Sequence, residues 1–477
     1  MNNSVVPVLF GAVRFDQLRY YAPSDQTANP NANMTTNDHQ AEQKNHFRTL
    51  FEASERSMNG RRELPIHQLR RAALEEMTTK PFPTRRDEDW KYTSVNKVIS
   101  ERYQEGRFVE LSDEQFDALG LPENNAIRFV FVNGQLDEKR SFQGDLPQGL
   151  HLSSTENEYD APGRRATIDD LLQTDAAAAG SAFVNLNRAF SKNGTFLSTE
   201  RNAQIAEPIH FLFLATASET PVLTNPQLLV EVASGSSLSI IEEYRFLDAD
   251  AVYFNNAVTR ARVATNAHLH HYRIQFDAPK AYHINHTTVH QSRDSSYSHY
   301  NSDLGASIVR NTLEATQGGE NCTTNLYGTY LGRDRQHLDT QSFLDHAMPH
   351  CESNELYKGI LTDRARGVFN GKVIVRQDAQ KINAFQQNSS LVLSDTAQMD
   401  SKPQLEIFAD DVRCSHGATI GQLDESSVFY LRSRGLSDAQ ARSLLQFAFV
   451  KEVVENYRDE SVMEYVVGLI EGVLEEI

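Results

Sequence analysis

From about Gly194 onward the chain is written in short apolar runs. Residues Ile209 to Leu214, Leu228 to Val232, Leu238 to Tyr244, Ala257 to Val263 and His268 to Phe276 come first. Further runs lie around Val289, Val309, Tyr327, Val373 to Val375, Leu391 to Leu393 and Leu405 to Phe408. Short runs of this kind, rich in β-branched and aromatic residues, read as strands. Polar and glycine-containing turns separate them, and no helix-length pattern interrupts them for about two hundred residues. A sandwich or barrel is the ordinary expectation for such a region. The region is longer than most sandwiches, however, and clear hairpin turns are few. A parallel β-helix of stacked short strands fits that length better.

Both ends follow a different period. Pro65 opens a helical pattern with Ile66, Leu69, Ala73, Leu74 and Met77 on one face. Residues 80–84, Lys-Pro-Phe-Pro-Thr, break it. Ile127 to Val132 reads as a strand followed by an Asn133-Gly134 turn. Residues 144–165 read as a polar connection. Residues Ile168 to Leu172 and Ala182 to Phe190 read as helices, with Phe183, Leu186 and Phe190 at helix spacing. At the other end Ser437 and Gln440 form a capping box. Asp459 caps a last helix whose stripe is Val462, Val466, Leu469, Ile470, Val473 and Ile477. The expected division is a disordered tail over 1–46, an N-terminal helical and mixed domain over 47–190, a parallel β-helix core over 191–423, and a C-terminal helical domain over 424–477. The tail assignment rests on Ser24 to Asn45, which is rich in Asn, Gln, Thr and Asp and poor in aliphatics. The C-terminal helices are expected to cover the last open rung.

Composition narrows the function. The net charge of -18 argues against nucleic acid and against an anionic membrane surface. No apolar run is long enough to span a bilayer, and the first residues lack a basic segment before an apolar one. Three cysteines, Cys322, Cys351 and Cys414, without a framework fit a reducing, cytoplasmic setting. No phosphate-binding Gly-x-x-x-x-Gly-Lys-Ser/Thr string is present, so nucleotide hydrolysis belongs to a partner.

Three groups of residues carry candidate chemistry. Val412, Cys414 and His416 alternate along one strand, so thiol and imidazole share a face. In isolation such a pair more often packs or satisfies a core hydrogen bond; its place beside Gly417 and Gly421, read as strand breakers, favours a metal half-site. Two ligands cannot close a cluster site that takes four, so another chain must complete it. His268, His270, His271, His283, His286 and His290 crowd into twenty-three residues; the expected state is a solvated ladder on the outer face of the β-helix. Cys322 and Cys351 read as interior thiols. Trp90, in Asp-Trp-Lys-Tyr-Thr, reads as an anchoring aromatic.

Longer strings carry a resemblance. Cys414 begins Cys-Ser-His-Gly-Ala-Thr, and Phe429 begins Phe-Tyr-Leu-Arg-Ser-Arg-Gly. Upstream stand Phe369-Asn-Gly-Lys-Val-Ile-Val, Asn383-Ala-Phe-Gln-Gln-Asn-Ser-Ser and Pro403-Gln-Leu-Glu-Ile. From about Leu64 to Tyr457 the chain resembles the SufB/SufD family of iron–sulfur cluster assembly scaffolds, on its SufD side. The resemblance implies a right-handed parallel β-helix between helical ends and a scaffold rather than an enzyme. It implies edge pairing with SufB, docking of the ATPase SufC on the C-terminal helices, and a homodimer when SufB is absent. It also implies transient iron or a nascent iron–sulfur cluster shared with SufB near Cys414 and His416, and leaves open a flavin in the complex. The cluster-building thiol of the SufB branch is replaced by Asn388 here. The alternatives are a passive partner of SufB and SufC, and a β-helix carbohydrate-active enzyme.

Overall fold

The computed structural model describes residues 36–56, 58, 61–122, 126–173 and 181–477. Its centre is a two-sheet parallel β-solenoid. Successive strands alternate between the sheets, so each turn adds one rung to both. In the first sheet Tyr253–Val263 pairs in parallel with Tyr282–Gln291, which pairs with Ile308–Gln317, and so on to Gln398–Ile407. In the second, Ser237–Phe246 begins a series that ends at Val412–Gly421. Every rung-to-rung pairing in the solenoid is parallel. Among the described residues only Ile127–Val132 with Gln135–Leu136, and Leu150–Ser154 with Thr195–Thr199, pair antiparallel.

Alternation sends every second side chain into the space between the sheets. Leu238, Leu269, Tyr297, Leu326, Leu344, Phe369 and Val373 make the apolar part of that core. The outer face of each sheet is covered by helices. Pro65–Thr79 and Ala182–Phe190 lie over the first sheet, where Phe183, Leu186 and Phe190 meet Phe254, Tyr282 and Ile308. Asp438–Val454 and Glu460–Leu474 lie over the second, where Val450, Val466 and Ile470 meet Ile241, Tyr272 and Ile274.

Several expectations change. Residues 1–35 of the expected tail lie outside the described residues. From Thr36 the chain is helical to Arg56. The composition there is polar, but Gln40, Gln43, Phe47 and Phe51 form one buried stripe. Gln40 Nε2 donates to the Phe82 carbonyl at 3.1 Å and Gln43 Nε2 to the Glu101 carbonyl at 3.0 Å. Glutamine used in this way is invisible to composition. The polar connection over 144–165 contains a strand, Leu150–Ser154, and a helix, Thr155–Asp160. Gly417 does not break its strand, which runs through to Gly421. A helix, Glu425–Ser433, follows, capped by Asp424. Lastly, the C-terminal helices cover a flank and not the end: the Val412–Gly421 strand is exposed along nearly its whole length.

Trp90 is an anchor, as expected. It stacks on the Arg310 guanidinium, 3.8 Å from the ring centre, and packs on Phe183. Thr93 bonds His337 at 2.7 Å and also reaches Asp339, while Lys402 of the last rung meets Glu88. The segment is a strap across the first sheet.

Candidate functional site

The terminal rung consists of Gln398–Ile407 and Val412–Gly421. Each strand pairs with one neighbour, so two ten-residue edges are left open. At the other end the sheets close onto the antiparallel pairs described above. Open edges of this length are templates for pairing with another chain. Apolar side chains flank them: Phe408 is 63% exposed and Ile420 54%.

The register places the candidate ligands on this rung. Cys414 stacks on Ala384, and His416 stacks on Gln386. Both belong to inward-facing columns. Following His416 inward gives Gln386, Glu355, Leu326, His299 and His271. Cys414 is half-buried and packs on the apolar core. Burial pushes its thiol up, so metal binding there must displace a proton. His416 is exposed. The structure thus keeps the pair on one face but gives its members different settings. Among the described residues no group of three or more His, Cys, Asp or Glu side chains forms a metal cluster. A thiol and an imidazole are both of a ligand type that iron accepts, and two such groups fall short of the four that a cluster takes.

Beneath His416 lie groups that the sequence reading did not single out. Gln386 Nε2 donates to Glu355 Oε1 at 3.2 Å, and Ser342 Oγ donates to Glu355 Oε2 at 2.6 Å. Burial pushes the Glu355 carboxyl up to about 7, against the opposing pull of these two bonds. Asn388, one inward position further along, accepts from Tyr330 Oη at 2.9 Å and donates to Ser401 Oγ at 3.1 Å. Both ends of the Asn388 amide are therefore engaged. The available signal was a recurrence of inward polar residues about thirty positions apart, blurred by turns of unequal length.

The histidine cluster is not solvated. His270, His271, His283 and His286 are buried. His271 and His283 face into the solenoid, where His271 lies 2.9 Å from Glu242 and His283 2.8 Å from Asp277. They are paired because a buried imidazole without a partner is costly. Cys322 and Cys351 are interior thiols on adjacent rungs, and both reach the Gly319 carbonyl.

Two family descriptions match. The SufBD protein N-terminal region covers residues 41–211, and the SUF system FeS cluster assembly, SufBD core domain covers 213–449. An iron–sulfur cluster assembly SufBD family protein of Synechocystis is 34% identical over 88% of this chain and 94% of its own length. The iron–sulfur cluster assembly protein SufD of Escherichia coli is 31% identical, again over 88% of this chain and 94% of its own. With matched regions that run from the N-terminal helices through the open rung, the chain belongs to the SufBD family of SUF-system iron–sulfur cluster assembly proteins.

Proposed function

We propose that this chain is a SufD-like scaffold subunit that meets a SufB-type partner along its open terminal rung. One observation carries the reading: the two unpaired strand edges coincide with the rung that presents His416 and Cys414. Main-chain pairing would extend both sheets across the junction. Iron, or a nascent cluster, is the cargo of this junction. His416 supplies an imidazole from this side and the partner supplies the remaining ligands. Cys414, half-buried against the core, contributes less and serves chiefly as packing. The chain holds and positions the cargo in the cytoplasm without turnover, and ATP hydrolysis belongs to a SufC-type partner.

The C-terminal region offers the docking surface for that ATPase. Phe429 is 73% exposed, Tyr430 57% and Leu444 46%. Removing the last two helices would strip the flank of the second sheet, so point variants are the cleaner probe. Phe429→Ser with Leu444→Ser should abolish co-purification of the ATPase and leave the melting curve in place.

The decisive experiment is His416→Ala in the chain co-expressed with SufB-type and SufC-type partners. Iron and sulfide per purified complex should fall while the complex stays intact. An intact complex with an unchanged cluster yield would reduce the chain to a passive partner.

A further inference from the structure

The inward column that ends at the open rung has an unpaired acceptor in its second-to-last place. Glu355, Gln386 and His416 are direct neighbours on three successive strands. Gln386 is only 3% exposed. Its Nε2 is committed to Glu355, which Ser342 holds in turn. A Cβ at Gly371 would collide with that amide nitrogen, so the glycine makes room for the amide where it lies. The amide is thereby oriented, and Gln386 Oε1 is left buried without a hydrogen-bond partner. A buried acceptor in that state has lost its water without gaining a bond in return. On the outer side, the side chain next in register is His416, one rung away at the usual spacing of about 4.8 Å.

We propose that Gln386 is a positioning residue for His416. In the structure the two do not bond; when the exposed His416 ring turns inward, Oε1 accepts one of its N–H groups, which fixes a single tautomer and leaves the other nitrogen free for metal. Histidines that bind metal usually anchor their second nitrogen in this way. The purpose of the contact rests on His416 being an iron ligand; the hydrogen bond itself does not. Glu355 acts one step further in, by deciding which end of the Gln386 amide faces outward.

The test needs no metal. Imidazole nitrogen shifts of His416 are read by NMR in the full chain labelled with ¹⁵N-histidine, at a pH where the ring is neutral. His416→Ala identifies the signal. The wild-type ring should show one tautomer. Gln386→Leu removes the acceptor, and Gln386→Asn withdraws it by one methylene. Both should give a mixture of tautomers. Gln387→Leu serves as the control, because Gln387 is exposed on the opposite face and bonds Ser389. Should Gln386→Leu fail to fold, Gln386→Asn keeps the amide and carries the measurement. Unaltered His416 shifts in the folded Gln386 variants would overturn the proposal. A tautomer change beside an unchanged iron yield in His416→Ala complexes would overturn the ligand reading and leave the positioning contact standing.

Discussion

The middle of the solenoid and its open end use the same kinds of residue to opposite effect. In the middle, carboxylates meet their counter-charges inside the chain. Burial alone would raise the Glu242 carboxyl, yet His271, Thr259 and Tyr244 together bring it down to about 2. Arg273 donates to Asn301 at 2.7 Å and lies 3.1 Å from Asp303, which also accepts from Asn301 and Asn311. At the end, His416 is exposed, Cys414 is half-buried and Gln386 Oε1 is unanswered. The density of histidines marks structure here. What sets the candidate site apart is that its side chains lie on a strand with an open edge.

The sharpest way to break this contrast is to unpair a charge in the middle. Asp303→Ala leaves Arg273 buried and uncompensated, and such a loss costs about 3–5 kcal/mol. Denaturant unfolding of this variant should show the largest fall of the set. A loss below 1 kcal/mol would mean that water, and not Asp303, satisfies the guanidinium.

The strap comes next. Trp90→Ala removes a half-buried ring between Arg310 and Phe183. A loss of about 2–3 kcal/mol is expected from the contacts forfeited. The melting curve checks it, and an unchanged midpoint would make the strap ornamental.

A pH experiment separates the two regions by sign. Glu242 has a depressed folded value, so its contribution is present above about pH 4.5 and is lost as pH falls towards 2. Glu355 has a raised one, so its contribution is full below about pH 4.5 and is lost as pH rises through about 7. Glu355→Gln keeps the shape and removes the titration. Relative to the wild type it should gain on the order of 2 kcal/mol at pH 8 and little at pH 5. Equal differences at both pH values would show that Glu355 is not the group lost on the alkaline side.

The smallest effect on stability belongs to His416. Exposed on the last rung, it should change stability by less than about 0.5 kcal/mol when replaced by Ala. A loss comparable to that of Asp303→Ala would place it with the core histidines and remove it from the site.

Local signals were legible wherever one segment decides its own structure. The helix over Ala182–Phe190, the strand over Ile127–Val132 and the capping box at Ser437 follow from spacing and short-range hydrogen bonds. The mostly-β core with helical ends was also readable, through many short runs without an intervening helix. The polar helix from Thr36 was not, because its buried glutamines matter only against Phe82 and Glu101. Nor was the state of the histidines, since alternation assigns a face but not which face is inside.

By itself, then, the sequence determined the repeating strand period, the helices at both ends, the family strings and the same-face pairing of Cys414 with His416. These depend on neighbours a few positions apart. Only the tertiary structure decided that the C-terminal helices flank the solenoid and leave its end open, that His271 and His283 are locked to carboxylates, and that Gln386 and Glu355 lie beneath His416. Those contacts join residues about thirty positions apart through the stacking of rungs. Their alignment is set by the length of each turn, and no local pattern encodes the sum.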